Sequence, residues 1–108
     1  MATKMKVFIV SPYSGDVEAN VAYGKKCLLD SIGRQETPFA GHLFYTQVLD
    51  DTNEVDRELG MKMGREWMAD CEVVAVYVDR GMSKGMVADI EHAQDIDRGL
   101  VFRRLENE

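Results

Sequence analysis

Two segments of the chain are apolar on both faces and rich in β-branched residues, and they constrain the fold most. Residues 6–11 read KVFIVS and residues 72–79 read EVVAVYVD. A strand with one wet face alternates apolar and polar residues, whereas these segments are nearly continuous apolar runs. Such runs are typical of a parallel sheet that helices cover on both sides. We therefore expect a layered α/β fold.

Helical patterns alternate with the strand patterns along the chain. In the first of them, apolar or small residues recur at helical spacing, Asp16 is suited to the N-cap and Gly33 to the stop. The order βαβαβαβ predicts a parallel sheet between two helical layers. The predicted strands cover residues 6–11, 37–43, 72–79 and 100–104, and the predicted helices cover 17–33, 54–69 and 84–97.

The length of 108 residues is enough for one core and leaves little room for a second. We predict a single domain over residues 1–108, a flavodoxin-like or Rossmann-like three-layer sandwich with four to five parallel strands. The connection over 44–53 is long for so small a domain, and long connections often carry function.

Composition excludes several classes of function. The net charge is −6 and no run of Lys or Arg exceeds two, so we expect no duplex nucleic acid partner. Cys27 and Cys71 match no metal-binding spacing, and with no recognisable signal peptide they indicate a reduced, cytoplasmic protein. The apolar runs are too short to span a bilayer, so no membrane partner is expected, and nothing indicates a cofactor.

Two turns lie where an open α/β sheet binds its ligands, outside the carboxyl ends of the strands. In the first, Ser11, Tyr13, Ser14 and Gly15 follow the first strand. Ser14 and Gly15 are suited either to holding a phosphate or to a tight connection only. Tyr13 is suited either to contact with a nucleobase or to covering the sheet edge.

The second turn follows the strand over 72–79 and is expected beside the first. Asp79 either contacts a sugar or base or simply initiates the turn. Ser83 is a natural N-cap, and together with Gly85, which permits close approach, it also suits a phosphate. Asn20 and His42 are further candidate polar contacts, although a lone histidine more often has a structural role.

Asp89 is the unusual residue of the last predicted helix. Its spacing from Met86 and Ala93 places it on or beside the stripe that faces the sheet. A carboxylate there is either bonded to a backbone amide or an arginine, or lies in a cleft as a nucleophile or acid/base group. Periodicity alone leaves both interpretations open.

These residues together resemble a known family. Residues 68–102 resemble the second half of the nucleoside 2-deoxyribosyltransferase superfamily, in which an aspartate closes a strand and a Gly precedes the catalytic Glu by four residues. Gly85, Asp89, Ile90 and Ala93 occupy the motif positions. VFIVSPYSG resembles the family's first strand and substrate loop, and GHLFYTQVLDD with DRELGMKMGREWM is similar to short bacterial and phage members.

The resemblance implies cleavage or transfer at the N-glycosidic bond of a 2'-deoxynucleoside or its 5'-monophosphate, through a carboxylate nucleophile. Asp89 holds the position of the family's glutamate and is one methylene shorter. Ser83 stands where transferase members carry an aspartate, which is similar to the 5'-monophosphate N-glycosidases, so Ser14, Gly15 and Ser83 would surround the phosphate. Asp79 would orient the sugar or base.

Two other functions remain open at this stage. The replacement of Glu by Asp is compatible with a non-catalytic protein that binds a nucleotide or nucleotide-derived signal. A structural or partner-binding protein is the third possibility, in which the helix over 54–69, rich in Met and containing Trp67, forms an apolar interface. We also expect a homodimer or higher homo-oligomer through that helix, with a neighbouring subunit completing the pocket.

Overall fold

The computed structural model describes residues 4–105. Four strands alternate with helices, as the sequence predicts. The elements are β1 (Lys6–Val10), α1 (Val17–Gly33), β2 (Thr37–Phe39), α2 (Gly41–Phe44), a 3-10 turn (Tyr45–Gln47), α3 (Glu54–Ala69), β3 (Val73–Tyr77), α4 (Lys84–Asp95) and β4 (Gly99–Arg103).

The sheet has the order β2-β1-β3-β4 and all its pairs are parallel. Phe8 pairs with Phe39 on one side and with Val74 on the other, so β1 and β3 are the two central strands. The predicted three-layer α/β fold is confirmed. A parallel order of this kind has a switch point between β1 and β3, because the chain continues from them towards opposite edges.

The central strands are buried on both faces, which explains their continuous apolar sequence. Phe8 and Val10 pack with Val74 and Val76 under α3 and α4, where Met68 also contributes. On the opposite face a second cluster packs under α1; it consists of Val7, Ile9, Tyr23, Cys27, Ala40, Ala75 and Tyr77.

Side-chain caps fix where the three long helices begin. Asp16 accepts a hydrogen bond from the Ala19 amide, and Asn53 accepts one from the Asp56 amide. Ser83 accepts one from the Met86 amide at 3.2 Å. Each cap satisfies a backbone donor that has no partner within its helix, which is why the predicted starts agree with the structure.

The predicted strand over 37–43 is too long. β2 ends at Phe39 and residues 41–44 form the short helix α2, so His42 lies on a helix and not at a strand end. A β-carbon added to Gly41 would lie 3.5 Å from the Gly64 Cα, which shows that α2 packs directly on α3. The packing of α2 on α3 thus involves segments that are distant in sequence, and the chain leaves the sheet after Phe39.

The other differences are at element ends. α4 ends at Asp95 and not at residue 97, since Asp97 adopts a left-handed backbone with φ of 58°. β3 is shorter than its apolar run by a residue or two at each end, and β4 begins one residue earlier than predicted. Among residues 4–105, no helix is long and apolar enough to cross a membrane.

Candidate functional site

A cleft opens at the carboxyl ends of β1 and β3, the place where an open parallel sheet is expected to bind a ligand. Its walls come from the turn after β1, from α2, from α3 and from the start of α4. Its volume is about 120 Å³. The lining residues are Phe8, Ser11, Tyr13, Ser14, Gly41, His42, Tyr45, Thr46, Leu49, Asp51, Asp56, Arg57, Gly60, Met61, Gly64, Ser83, Gly85, Met86 and Asp89.

Asp89 lies on the cleft wall that α4 provides. Its neighbours Met86 and Ala93 are buried on the same helix face, so the stripe position predicted for Asp89 is the observed one. Its carboxyl group makes no hydrogen bond or ion pair with any residue between 4 and 105. Burial raises the pKa of Asp89 to about 6, and the positive charge of Arg65 acts against that rise.

Ser11 and His42 form a hydrogen-bonded pair in the cleft. The Ser11 Oγ and the His42 Nε2 are 2.7 Å apart, and Ser11 is buried at the end of β1. Burial lowers the pKa of His42 to about 4, so the imidazole is neutral at physiological pH. Thr46 anchors this part of α2 by donating its hydroxyl to the His42 carbonyl at 2.7 Å. The pair therefore offers a neutral polar contact to a ligand.

The turn after β1 contributes two of its predicted residues to the lining. Tyr13 and Ser14 line the cleft, whereas Gly15 is not part of the lining. Gly15 has a φ of +97°, a left-handed conformation that suits glycine. Asn20 is not in the lining either, since its side-chain amide donates to the carbonyls of Tyr13 and Ser14. Gly15 and Asn20 thus shape the turn that presents Tyr13 and Ser14.

Ser83 and Gly85 reach the cleft from the start of α4. The Ser83 hydroxyl accepts from the Met86 amide, and Gly85 in the first turn leaves the backbone accessible. The first amides of a helix lack partners within it and carry partial positive charge. Ser14, Ser83 and Gly85 therefore line one cleft, as predicted from the two separate turns.

Asp79 has a different environment. It is not in the lining of the cleft, and its carboxylate accepts a hydrogen bond of 2.6 Å from the Tyr23 hydroxyl. The Leu105 amide donates to both Asp79 oxygens, at 2.9 and 3.1 Å. Asp79 thus connects α1, the exit of β3 and the segment after β4, and we give it a structural role.

Other lining residues had no individual signal in the sequence. Tyr45 and Thr46 belong to the 3-10 turn, and Asp51 lies in the long connection over residues 44–53. Asp56 and Arg57 come from the first turn of α3. Besides two tyrosines, the ionisable residues of this lining are three aspartates, one arginine and the neutral His42. Between residues 4 and 105, no His, Cys, Asp and Glu side chains group as a metal site.

Comparison with known proteins agrees with this architecture. Residues 5–103 match the family described as "Domain of unknown function (DUF7768)". No curated protein matches the chain significantly. The structure is similar to a 2-deoxyribosyltransferase from Bacillus psychrosaccharolyticus, with a TM-score of 0.66 and 13% identity over 95% of this chain and 74% of that one.

A second similar structure is a 2-deoxyribosyltransferase from Leishmania mexicana. Its TM-score is 0.60, with 14% identity over 96% of this chain and 67% of that one. At such identities the likeness concerns the fold, and it confirms that the chain has a nucleoside 2-deoxyribosyltransferase-like fold.

Proposed function

The chain belongs to the DUF7768 family, and because of its fold and its cleft we propose that it cleaves or transfers the N-glycosidic bond of a 2'-deoxynucleoside or its 5'-monophosphate. Asp89 is the proposed nucleophile. The observation that carries the proposal is the position of its carboxyl group in the cleft, half-buried and without a hydrogen-bond partner among residues 4–105. The two similar structures are 2-deoxyribosyltransferases, and the one from Bacillus psychrosaccharolyticus is a suitable biocatalyst for the industrial synthesis of antiviral and antitumoral nucleosides.

In the proposed first step the Asp89 carboxylate attacks C1' of the deoxyribose. The new bond joins its oxygen to C1', the C1'–N bond breaks, and the electron pair leaves with the base, which takes up a proton. Water or an acceptor base then attacks C1' and releases a proton to solvent, which balances the proton taken up by the leaving base, and the bond between C1' and Asp89 breaks to restore the carboxylate. The covalent intermediate divides one difficult substitution into two easier ones.

The other cleft residues have proposed roles that follow from their chemistry. Ser83 and Gly85 lie at the start of α4, which is suited to a 5'-phosphate, and Ser14 lines the same cleft from the turn after β1. Tyr13 offers an aromatic surface to the sugar or base, and the neutral Ser11–His42 pair offers hydrogen bonds to uncharged groups. Asp79, Gly15 and Asn20 act outside the cleft, by holding the two turns in place.

A base-release assay tests this proposal. Purified protein is incubated with each deoxynucleoside and each deoxynucleoside 5'-monophosphate, and free base is measured by chromatography. We expect Asp89→Asn to reduce release by at least about a thousandfold, since it removes the nucleophile. Asp95→Asn, the same chemical change at an exposed site of α4 outside the cleft lining, should retain turnover. No base release above the Asp89→Asn background with any substrate would reject the proposal.

The length of the Asp89 side chain favours a second candidate function. Asp89 is one methylene shorter than the glutamate of the resembled family, and a displacement of about 1 Å can cost roughly a hundredfold in rate. The shorter side chain is compatible with a protein that binds a nucleotide without turnover.

Thermal shift and one variant separate the two functions. A binding protein is stabilised by nucleotides because they bind the native state alone, so its melting temperature rises while no base is released. If only reach limits catalysis, Asp89→Glu increases base release above that of the native chain. A flat thermal-shift screen would exclude the binding role.

A further inference from the structure

A second depression lies behind the cleft, in the groove between α3 and α4. Met61 lines both the cleft and this groove, so the two are separated by little more than one side chain. Asp89, His92 and Ile96 follow one face of α4 at helical spacing, with Asp89 at the cleft and the other two in the groove. Residues on this face are therefore approached from α3.

Arg65 is the residue of α3 that approaches them. It is half-buried, lies one helical turn after Met61, and lines the groove with His92 and Ile96. Its Nε is fully buried and has no hydrogen-bond partner among residues 4–105. A buried guanidinium N–H without a hydrogen-bond partner is costly and rare, which distinguishes Arg65 from the other charged residues of the groove.

Asp89 lies one helical turn before His92, on the face of α4 that Arg65 approaches, and no ion pair joins Arg65 and Asp89 in the part of the chain that the structure describes. The charge of Arg65 lowers the pKa of Asp89, against the larger opposing effect of burial. We propose that Arg65 is a positioning residue for Asp89, a cation placed behind the cleft that stabilises the ionised carboxylate and leaves both of its oxygens free. This role rests on the proposed function of Asp89 as the nucleophile, but a titration follows the Asp89 carboxyl group directly and does not require turnover.

This arrangement suits a nucleophile better than a direct salt bridge would. A carboxylate oxygen that accepts a strong hydrogen bond has less electron density available for attack, whereas a more distant cation raises the ionised fraction without occupying a lone pair. Arg65 would also favour the second step, in which Asp89 leaves C1' as an anion. Arg65 touches no substrate, since it is not in the lining of the cleft.

Other charged groups surround Asp89 and must be separated from the effect of Arg65. In general an acidic neighbour raises the pKa of a carboxyl group and a basic one lowers it. The titratable groups on the elements packed around Asp89 are His42, Asp51, Asp56 and Arg57 in the cleft and Glu58, Glu66 and His92 in the groove. Lys62 lies on α3 beside Arg65 and lines the groove but not the cleft, which makes it the matched control.

The test is a titration of the Asp89 carboxyl carbon by NMR in protein labelled at aspartate, with Asp89→Asn used to assign the signal. Arg65→Gln removes the charge and keeps a planar polar head, and Arg65→Lys keeps the charge. We expect Arg65→Gln to raise the Asp89 midpoint by about one pH unit, the lower end of the effect of a close opposite charge. Arg65→Lys and Lys62→Gln should leave it near the native value.

An unchanged midpoint in Arg65→Gln, or an equal shift in Lys62→Gln, would overturn the inference. Melting temperatures of all variants show whether each is folded, and Arg65→Lys supplies a conservative variant that retains the helix contacts. In an active protein, Arg65→Gln should lower turnover more at pH 6 than at pH 8, because the carboxylate is ionised at the higher pH in either case. A loss of turnover that is caused by misfolding alone would be equal at pH 6 and pH 8.

Discussion

The Tyr23 hydroxyl donates a hydrogen bond of 2.6 Å to the Asp79 carboxylate, and the Asp79 amide donates back to the Tyr23 oxygen at 3.0 Å. Tyr23 is buried on α1, so this reciprocal pair fixes the exit of β3 to the helix on the far face of the sheet. The chain from Asp79 leads directly to Ser83 and the cleft. The pair thus determines where the second turn stands.

We expect Tyr23→Phe to lower the free energy of unfolding by about 1.5–3 kcal/mol, the usual range for a hydrogen bond to a charged group. Urea denaturation checks this value. Tyr13→Phe is the control, because the Tyr13 hydroxyl has no hydrogen bond with any residue between 4 and 105. Equal stability of Tyr23→Phe and the native chain would show that the pair does not hold the turn.

Asp89→Asn is expected to stabilise the folded chain at neutral pH. The pKa of Asp89 is about 6 in the folded chain and near 3.8 without burial, so the folded state binds the proton more tightly. Stability from this group is present below pH 3.8 and is lost as the pH rises to 6. The difference of about two units makes the variant up to about 3 kcal/mol more stable at pH 7.5, with little gain at pH 4. Denaturation curves of the variant and the native chain at pH 7.5 and pH 4 measure this difference in the free energy of unfolding.

His42→Gln is expected to change the stability of the folded chain over the same pH range, in the direction opposite to that of Asp89→Asn. The pKa of His42 falls from 6.5 to about 4 on folding, so the unfolded chain binds the proton more tightly. Stability from this group is present above pH 6.5 and is lost as the pH falls to 4, by up to about 3 kcal/mol. In the native chain the effects of His42 and Asp89 nearly cancel.

Removing one of the two titratable groups makes the effect of the other on stability visible. Asp89→Asn should lose stability more steeply than the native chain between pH 6.5 and 4, and His42→Gln should gain stability over that range. The glutamine amide can still contact Ser11, so the change isolates the titration. Parallel pH profiles for the native chain and both variants would contradict the two burial effects.

The proposed homo-oligomer depends on an exposed apolar stripe of α3. Val55, Leu59 and Trp67 recur at helical spacing, and 74% of Val55 is exposed. We expect Val55→Lys with Leu59→Lys to shift the protein to monomer in analytical ultracentrifugation, since charges oppose burial of the stripe. Leu29→Lys, an equally exposed site on α1, should leave the assembly unchanged. A native chain that sediments as a monomer would reject this proposal.

The parts of the fold that the sequence predicts are those with a recognisable pattern of residues along the chain. Asp16, Asn53 and Ser83 cap their helices by bonds within a few residues, and the runs around Phe8 and Val74 are apolar because the sheet is covered twice. The caps depend on neighbours along the chain, and the apolar runs can be recognised from composition alone. Ser14 and Ser83 are distant in sequence and could be assigned to one cleft only because the expected strand order places β1 beside β3.

The remaining features depend on contacts between distant segments. The apolar sequence after Phe39 is equally compatible with a strand and a short helix, and only the packing of Gly41 against Gly64 decides between them. Asp79 has the same turn sequence whether it faces a ligand or Tyr23. Arg57 and Arg65 have no signal of their own, because their place at the cleft and the groove follows from how α3 crosses the sheet.

Asp89 is expected to form a covalent bond to C1' of a deoxynucleoside or deoxynucleotide during turnover. Protein quenched in acid during turnover can be digested with trypsin, which releases residues 85–98 as one peptide containing Asp89. Fragmentation mass spectrometry should find a deoxyribosyl group on Asp89 in the native chain and none in Asp89→Asn. Base release that proceeds with the adduct on another residue, or at an undiminished rate in Asp89→Asn, would contradict the account.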